Sequence, residues 1–509
     1  MPTRQAGRAV LAAWLAASIV SAQPNLRAAV QAWVASHQRP IVTELVELLG
    51  IPNFAPDRAG IRRNAGHLRG MLERRGFAAE LLETPGNPLV YGELKVEGAS
   101  RTLLLYAHYD GQAVDPKRWT QPDPYVPVLR TARVDRGGRD MPLGGVTKFE
   151  DEWRLYARSA SDDKSPIVAL CAAMDALKAA GLAPTSNIRV ILDGEEEASS
   201  PSLVPAIGRY RDRLRADLMV ILDGPTHSSG RPTVVFGARG IATFDLTVFG
   251  PRTGVHSGNY GNWIPNPAQR LASLLASMKS DDGRVLVAGF YDGVAPPGRE
   301  ERHLLDAVPD DSGRILEAFG VAAPERAFPK LQDALQAPTL NVRGLAGAHV
   351  GPTARTIIPD SATAAMDIRL VKETRADALL EKVKAHIRAQ GYHLVDGEPD
   401  DAARAAYSKL ARVAVSETAI NAFRTPPSDP LAGGVVAAIQ RTYGAAPVQL
   451  RTLGGTVPIA PFIDALGFPA VIVPVVNFDN NQHEENENLR LGNLFDAIVT
   501  FAAILRMQV

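Results

Sequence analysis

Short, largely apolar runs that end in histidine or acidic residues limit the possible folds of this chain more than any other feature. TLLLYAH (102–108), NIRVILD (187–193) and ADLMVILD (216–223) are each of strand length and are bounded by turn residues. LLETPGNPLVYGEL (81–94) adds similar short runs, and PAVIVPVVNF (469–478) supplies another late in the chain. Between them lie stretches of helical spacing such as PIVALCAAMDALKAAG (166–181), and a second follows Pro201. An uninterrupted apolar strand is covered on both faces, and strands alternating with helices predict an α/β fold: a mostly parallel sheet flanked by helices. In such sheets ligands gather outside the carboxyl ends of the strands. His108, Glu196, Glu197 and Asp223 all fall there.

The rest of the chain extends this plan. Apolar spacing from Leu26 to Leu72 is helical, with Gly76 as a stop,. Near Arg239 the pattern changes to half-buried alternation, in GIATFDLTVFG and SATAAMDIRLV, followed by the amphipathic helix ADALLEKVKAHIRAQG,. The expected organisation is an α/β domain in two parts, 23–238 and 424–509, with an α+β domain inserted at 239–423. Residues 1–22 read as a signal peptide. Arg4 and Arg8 precede a short apolar run ending in Val20-Ser21-Ala22, too short for a comfortable membrane span,. Export to the periplasm or medium is therefore expected, with no stable membrane span after cleavage. Cys171 is the only cysteine, so no intrachain disulfide forms, and its apolar helical setting marks a buried, inert thiol,. With 55 basic and 55 acidic residues, nothing favours nucleic acid as a partner,.

His108 and Asp110 lie two apart and so point the same way at a strand end. Alone, the pair fits either a loop-satisfied polar terminus or a metal ligand whose ring is held by a carboxylate. Asp162 and Asp163 precede a helix expected to begin near Pro166, where acids also serve as caps,. Glu195, Glu196 and Glu197 follow a buried strand, as a solvated acidic turn would. Asp223 follows LMVIL, where an uncompensated charge is costly. His483 opens HEENE after the last strong strand. Together, two histidines and several carboxylates at the strand ends of one sheet form the donor set of a zinc-type site. One bridging carboxylate among five ligands suffices for two metals about 3.5–4 Å apart. A glutamate beside a ligand glutamate is what such a site needs as general base.

HYDGQ, SASDDKSP, EEEASSP, ILDGP, GVHSG, GGTVP and HEENE, in this order and approximate spacing, resemble the di-zinc exopeptidases. That family includes carnosinase-like dipeptidases, aminoacylases, glutamate carboxypeptidases and diaminopimelate desuccinylases. SDDK, PTLNVRG and the RLV run place the chain nearest the carnosinase-like branch. The resemblance implies that Asp162 bridges two divalent ions, Zn2+ first with Mn2+ or Co2+ as alternatives. His108 and Asp223 complete one position, Glu197 and His483 the other. Glu196 resembles the general base and Asp110 the residue that orients His108. The inserted domain resembles a lid and dimerisation domain of a homodimer, from which His256 reaches an active site to stabilise the oxyanion. Arg369 resembles the arginine that holds a substrate's C-terminal carboxylate, with Gly454, Gly455 and Thr456 as the loop facing the same group.

The implied activity is hydrolysis of an amide bond in dipeptides or similar small substrates with a free C-terminal carboxylate. N-acyl amino acid hydrolysis and carboxypeptidase activity remain open within the family. A rival class, an exported receptor with a structural metal, fits poorly because calcium favours oxygen donors and here two histidines join the set. The chain also departs from the family. Ala157-Arg158-Ser159 replaces a glycine-rich turn, Ser165 and Ser199 stand at usual glycine positions, and Gly111 replaces a larger apolar residue.

Overall fold

The computed structural model describes residues 25–416 and 419–508; the expected signal peptide lies outside the described residues. Helices α1 (Leu26–Leu49) and α2 (Arg58–Glu73) come first, capped by the Asn25 and Asp57 side chains,. The chain then turns at Gly76, whose φ of 86° suits glycine,. Among the described residues no helix is long and apolar enough to cross a membrane.

The main sheet has strands β1 (Ala78–Leu82), β2 (Leu89–Leu94), β3 (Thr102–His108), β4 (Asn187–Asp193), β5 (Leu218–Ile221), β6 (Thr233–Val235), β7 (Val448–Leu450) and β8 (Ala470–Ile472). Their order is β1-β2-β4-β3-β5-β8-β6-β7. The central strands β4-β3-β5-β8 are parallel. Antiparallel pairs β1–β2, β2–β4 and β8–β6 flank them. The loop from β1 to β2 is too short for the crossover that a parallel pair requires, so a hairpin forms there.

Strand β3 shows why the central runs are continuously apolar. Leu103, Leu105 and Ala107 join a core with α1, α3 (Lys164–Ala179) and α5 (Leu491–Leu505), while Leu104 and Tyr106 enter a second core with α4 (Leu203–Leu214). Parallel register places His108 opposite Asp193 and Tyr106 opposite Ile221, so the turns after β3, β4 and β5 emerge side by side. Cys171 on α3 is buried, and burial pushes its thiol pKa up to about 12, as an inert thiol requires,.

α3 begins at Lys164, two residues before the expected start near Pro166. Asp163 occupies the N-cap but does not cap; its Oδ2 turns inward and accepts the His108 amide at 3.1 Å.

The chain leaves through Gly237–Ala238 and returns through Phe423–Arg424, which pair antiparallel. Between them lies a five-stranded sheet ordered Thr339–Ala346, Ser361–Leu370, Gly240–Phe249, Leu410–Val415, His393–Leu394. Helices Pro267–Met278 and Ala376–Ala389 pack on it around a separate core. Helices Arg299–Ala307 and Ser312–Phe319, which the sequence patterns did not mark, also belong to this segment. A smaller sheet pairs Asn488–Arg490 with Arg154–Tyr156, bringing the chain after His483 beside the chain before Asp162.

Candidate metal centre

The strand-end turns and two loops bring all five expected ligands together. His108 ends β3, Glu197 lies in the turn after β4, and Asp223 follows β5. Asp162 precedes α3, and His483 stands in the loop before Asn488. Two groups form: His108, Asp162 and Asp223, and Asp162, Glu197 and His483, with the ligand atoms of each group within 4.8 Å of one another. Asp162 belongs to both. Its Oδ1 is 2.7 Å from His108 Nε2 and its Oδ2 is 3.1 Å from His483 Nε2, which is also 3.3 Å from Glu197 Oε2. Each group offers one imidazole nitrogen and two carboxylate oxygens, a donor set that would suit a zinc-type divalent ion,.

Asp110 supports this cluster twice over. Its Oδ1 is 3.4 Å from His108 Nδ1, a contact longer than a strong hydrogen bond,. Its carboxylate also accepts the amides of Glu196 and Glu197, each at 3.0 Å, so one side chain fixes both the histidine strand and the glutamate turn. Two glutamines that the sequence did not single out join the site. Gln112 Nε2 donates to Glu197 Oε2 at 2.6 Å, and Gln482 Nε2 to Asp162 Oδ2 at 3.3 Å.

Burial dominates the electrostatics. Removal from water raises Asp223 to about 6 and Glu197 to about 7, with Asp162 adding to both,. Glu196 is lifted well above the carboxylate range, by burial first and then by Asp223, Asp162 and Glu197. Asp162 runs the other way. Burial opposes its ionisation, but hydrogen bonds from His108 and His483 hold its carboxyl well below the usual range. His483 is raised to about 9, chiefly by its hydrogen bond with Asp162.

These directions set a sign. Raised carboxylates and a raised histidine hold protons on donor atoms below their pKa values, and metal must displace those protons. Zinc affinity should therefore climb as pH rises from about 6 to about 9. Calorimetry near neutral pH in buffers of different ionisation enthalpy should show more than one proton released per chain. A pH-independent affinity would contradict this.

The glycine departures have a structural meaning. Ser159 (φ 62°) and Ser199 (φ 71°) both adopt the left-handed backbone that favours glycine,. Ser165 instead lies in α3, with its hydroxyl buried and unpartnered among the described residues. Ser159 and Gly111 are a matched pair. A Cβ on Gly111 would lie 2.3 Å from Ser159 Oγ, which accepts from Asn53 Nδ2 at 2.9 Å. Gly111→Ala should destabilise the fold by about 1–3 kcal/mol through overpacking. Adding Ser159→Gly should recover part of that loss in chemical denaturation; strictly additive effects would refute the pairing.

The other expected residues stand apart from the cluster. Arg369 Nη1 donates to Thr456 Oγ1 at 2.7 Å, which joins two of the expected substrate groups. Arg239, missed in the sequence, donates from Nε to the Gly454 carbonyl at 2.9 Å. Its only signal was an arginine at the domain junction. Gly455 continues the same loop. His256 is exposed; its Nδ1 accepts the Gly258 amide at 3.1 Å, and it makes no hydrogen bond or ion pair with the metal-site residues described.

Residues 104–507 match the sequence profile of Peptidase family M20/M25/M40. The chain belongs to this family. Among curated relatives, the Cys-Gly metallodipeptidase dug1 of Schizosaccharomyces pombe is 26% identical over 425 residues, 82% of each chain. The human Beta-Ala-His dipeptidase is 27% identical over 428 residues, covering 82% of this chain and 77% of that protein. Among solved structures, an M20 family metallo-carboxypeptidase from Sulfolobus solfataricus superposes with a TM-score of 0.74 at 27% identity, covering 92% of this chain and 98% of the other. Membership makes the chain a hydrolase with the family's architecture of catalytic and inserted domains.

Proposed function

We propose that this M20 family member is a two-zinc dipeptidase that cleaves the amide bond of dipeptides with a free C-terminal carboxylate. The observation that carries the reading is Asp162, whose two oxygens face histidines from two separate ligand groups. His108 and Asp223 would hold one ion and Glu197 and His483 the other, with Asp162 between them. When bound, the ions would polarise the scissile carbonyl and make a water acidic enough to attack it. Glu196 belongs to neither ligand group. Its carboxylate takes a proton from the attacking water and passes it to the leaving amine. Glu196 is half-buried, and its neighbours Asp223, Asp162 and Glu197 hold its proton tightly without metal; two dications offsetting those acids would free the carboxylate to act as base,.

Substrate class follows from what the named relatives share. Cys-Gly and β-Ala-His differ at both side chains but have one amide and one terminal carboxylate in common. A guanidinium fork at Arg369, beside Thr456 and the Gly454–Gly455 loop, suits that carboxylate,. His256 would complete the site by stabilising the oxyanion from the partner subunit of a homodimer. Exposed Trp263 (82%), Leu345 (64%) and Val350 (86%) on the inserted segment support such a contact,. The apolar run before Ala22 supports export.

Likeness to the Sulfolobus enzyme favours carboxypeptidase activity as the second reading. Zinc-reconstituted chain offered Cys-Gly, β-Ala-His, a tetrapeptide and an N-acyl amino acid separates them. Dipeptide turnover that a chelator abolishes is expected; release of C-terminal residues from the tetrapeptide at a higher rate would favour the second reading.

A further inference from the structure

Glu487 has no accessible surface and is not among the proposed ligands, yet its two oxygens take four hydrogen bonds from a single turn. Oε1 accepts the amides of Ser161 at 2.8 Å and Asp162 at 2.9 Å. Oε2 accepts the Ser159 amide at 2.9 Å and Arg158 Nη1 at 2.8 Å. That turn carries Asp162, and Glu487 itself follows His483 by one short loop. Pairing of Asn488 with Tyr156 brings the two segments side by side. A carboxylate that gathers successive amides fixes their peptide planes, and with them the direction in which the Asp162 side chain leaves the backbone.

We propose that Glu487 is a positioning residue that ties the Asp162 turn to the His483 loop, so that one carboxylate can serve both metal positions. This rests on the two-metal reading. Charge pairing with Arg158 does not account for the arrangement, because Oε1 faces only the Ser161 and Asp162 amides. Outer partners of this kind orient metal ligands, and their loss weakens metal binding by about 10–100-fold.

Glu487→Gln preserves shape but turns an NH2 group toward N–H donors in either orientation, so about half the contacts fail. In calorimetric zinc titration of the full chain, at least one ion should bind 10–100-fold more weakly than in wild type. The zinc-induced rise in melting temperature should shrink accordingly, since that rise reports binding to the folded state. A carboxylate that only supports the fold would lower the metal-free and zinc-loaded melting temperatures alike and leave zinc affinity unchanged. Glu487→Asp, which keeps the charge but withdraws it from the amides, carries the same expectation if the glutamine variant does not fold. Adding Arg158→Met to Glu487→Gln removes the stranded cation and should not restore zinc affinity. Wild-type affinity in the single variants, or its recovery in the double variant, would overturn the inference. Fewer than two ions in wild type would overturn the two-metal reading and this inference with it.

Discussion

Glu196→Gln should lower kcat for dipeptide hydrolysis by about 10²–10⁴ while both metal ions stay bound. The amide removes a proton acceptor and little else. Glu196 lies outside both ligand groups, and its backbone remains anchored because its own N–H, not its side chain, binds Asp110. Neighbouring Glu197 is the ligand candidate, 3.3 Å from His483 and held by Gln112. Elemental analysis of the purified variant decides between them. Loss of metal in step with activity would mean that the roles of Glu196 and Glu197 are exchanged.

Asp162→Ala should be the most damaging change for metal binding. It should empty both positions after dialysis, whereas His108→Ala and His483→Ala should each weaken mainly one. Among the described residues Asp162 alone belongs to both groups. Its carboxylate would also offset the repulsion between two dications about 3.5–4 Å apart. Metal-to-protein ratios for the three variants, measured side by side, make the comparison. Retention of one tightly bound ion in Asp162→Ala would mean two independent sites.

His108, Glu197 and Asp223 were legible in the sequence for a specific physical reason. Parallel strands in a doubly covered sheet must be apolar along their length, so polar residues appear where the strand stops, and parallel register then aligns those stops,. His483 and Asp162 lie on loops; the pooled donor set could include them, but only the resemblance to a family gave each its particular position. Asp163 stands where acids commonly cap a helix, yet here its carboxylate is drawn to the His108 amide, which no local pattern shows. Glu487 gave no signal at all. In HEENE it is one acid among three, and its partners lie more than 320 residues away, reached only through the pairing of Asn488 with Tyr156. Ser159 and Gly111 read as unrelated departures in the sequence; the 2.3 Å that would separate a Cβ at 111 from Ser159 Oγ makes them one.

The antiparallel β1–β2–β4 side of the main sheet was only partly legible. The short loop between β1 and β2 permits only a hairpin, whereas β2 and β4 are far apart in the chain and no local pattern gives the direction of their pairing,. Arg239 was hidden for another reason. Its contact with Gly454 spans the junction of the two domains, where no local periodicity applies.

With both positions filled, Asp162 should lie between two metal ions. A crystal of the zinc-reconstituted chain, with anomalous data collected at the zinc edge, addresses it without reference to activity. The expected result is two peaks about 3.5–4 Å apart, one beside His108 and Asp223, the other beside Glu197 and His483, with an Asp162 oxygen on each. A single peak, or two peaks that do not share Asp162, would contradict the account.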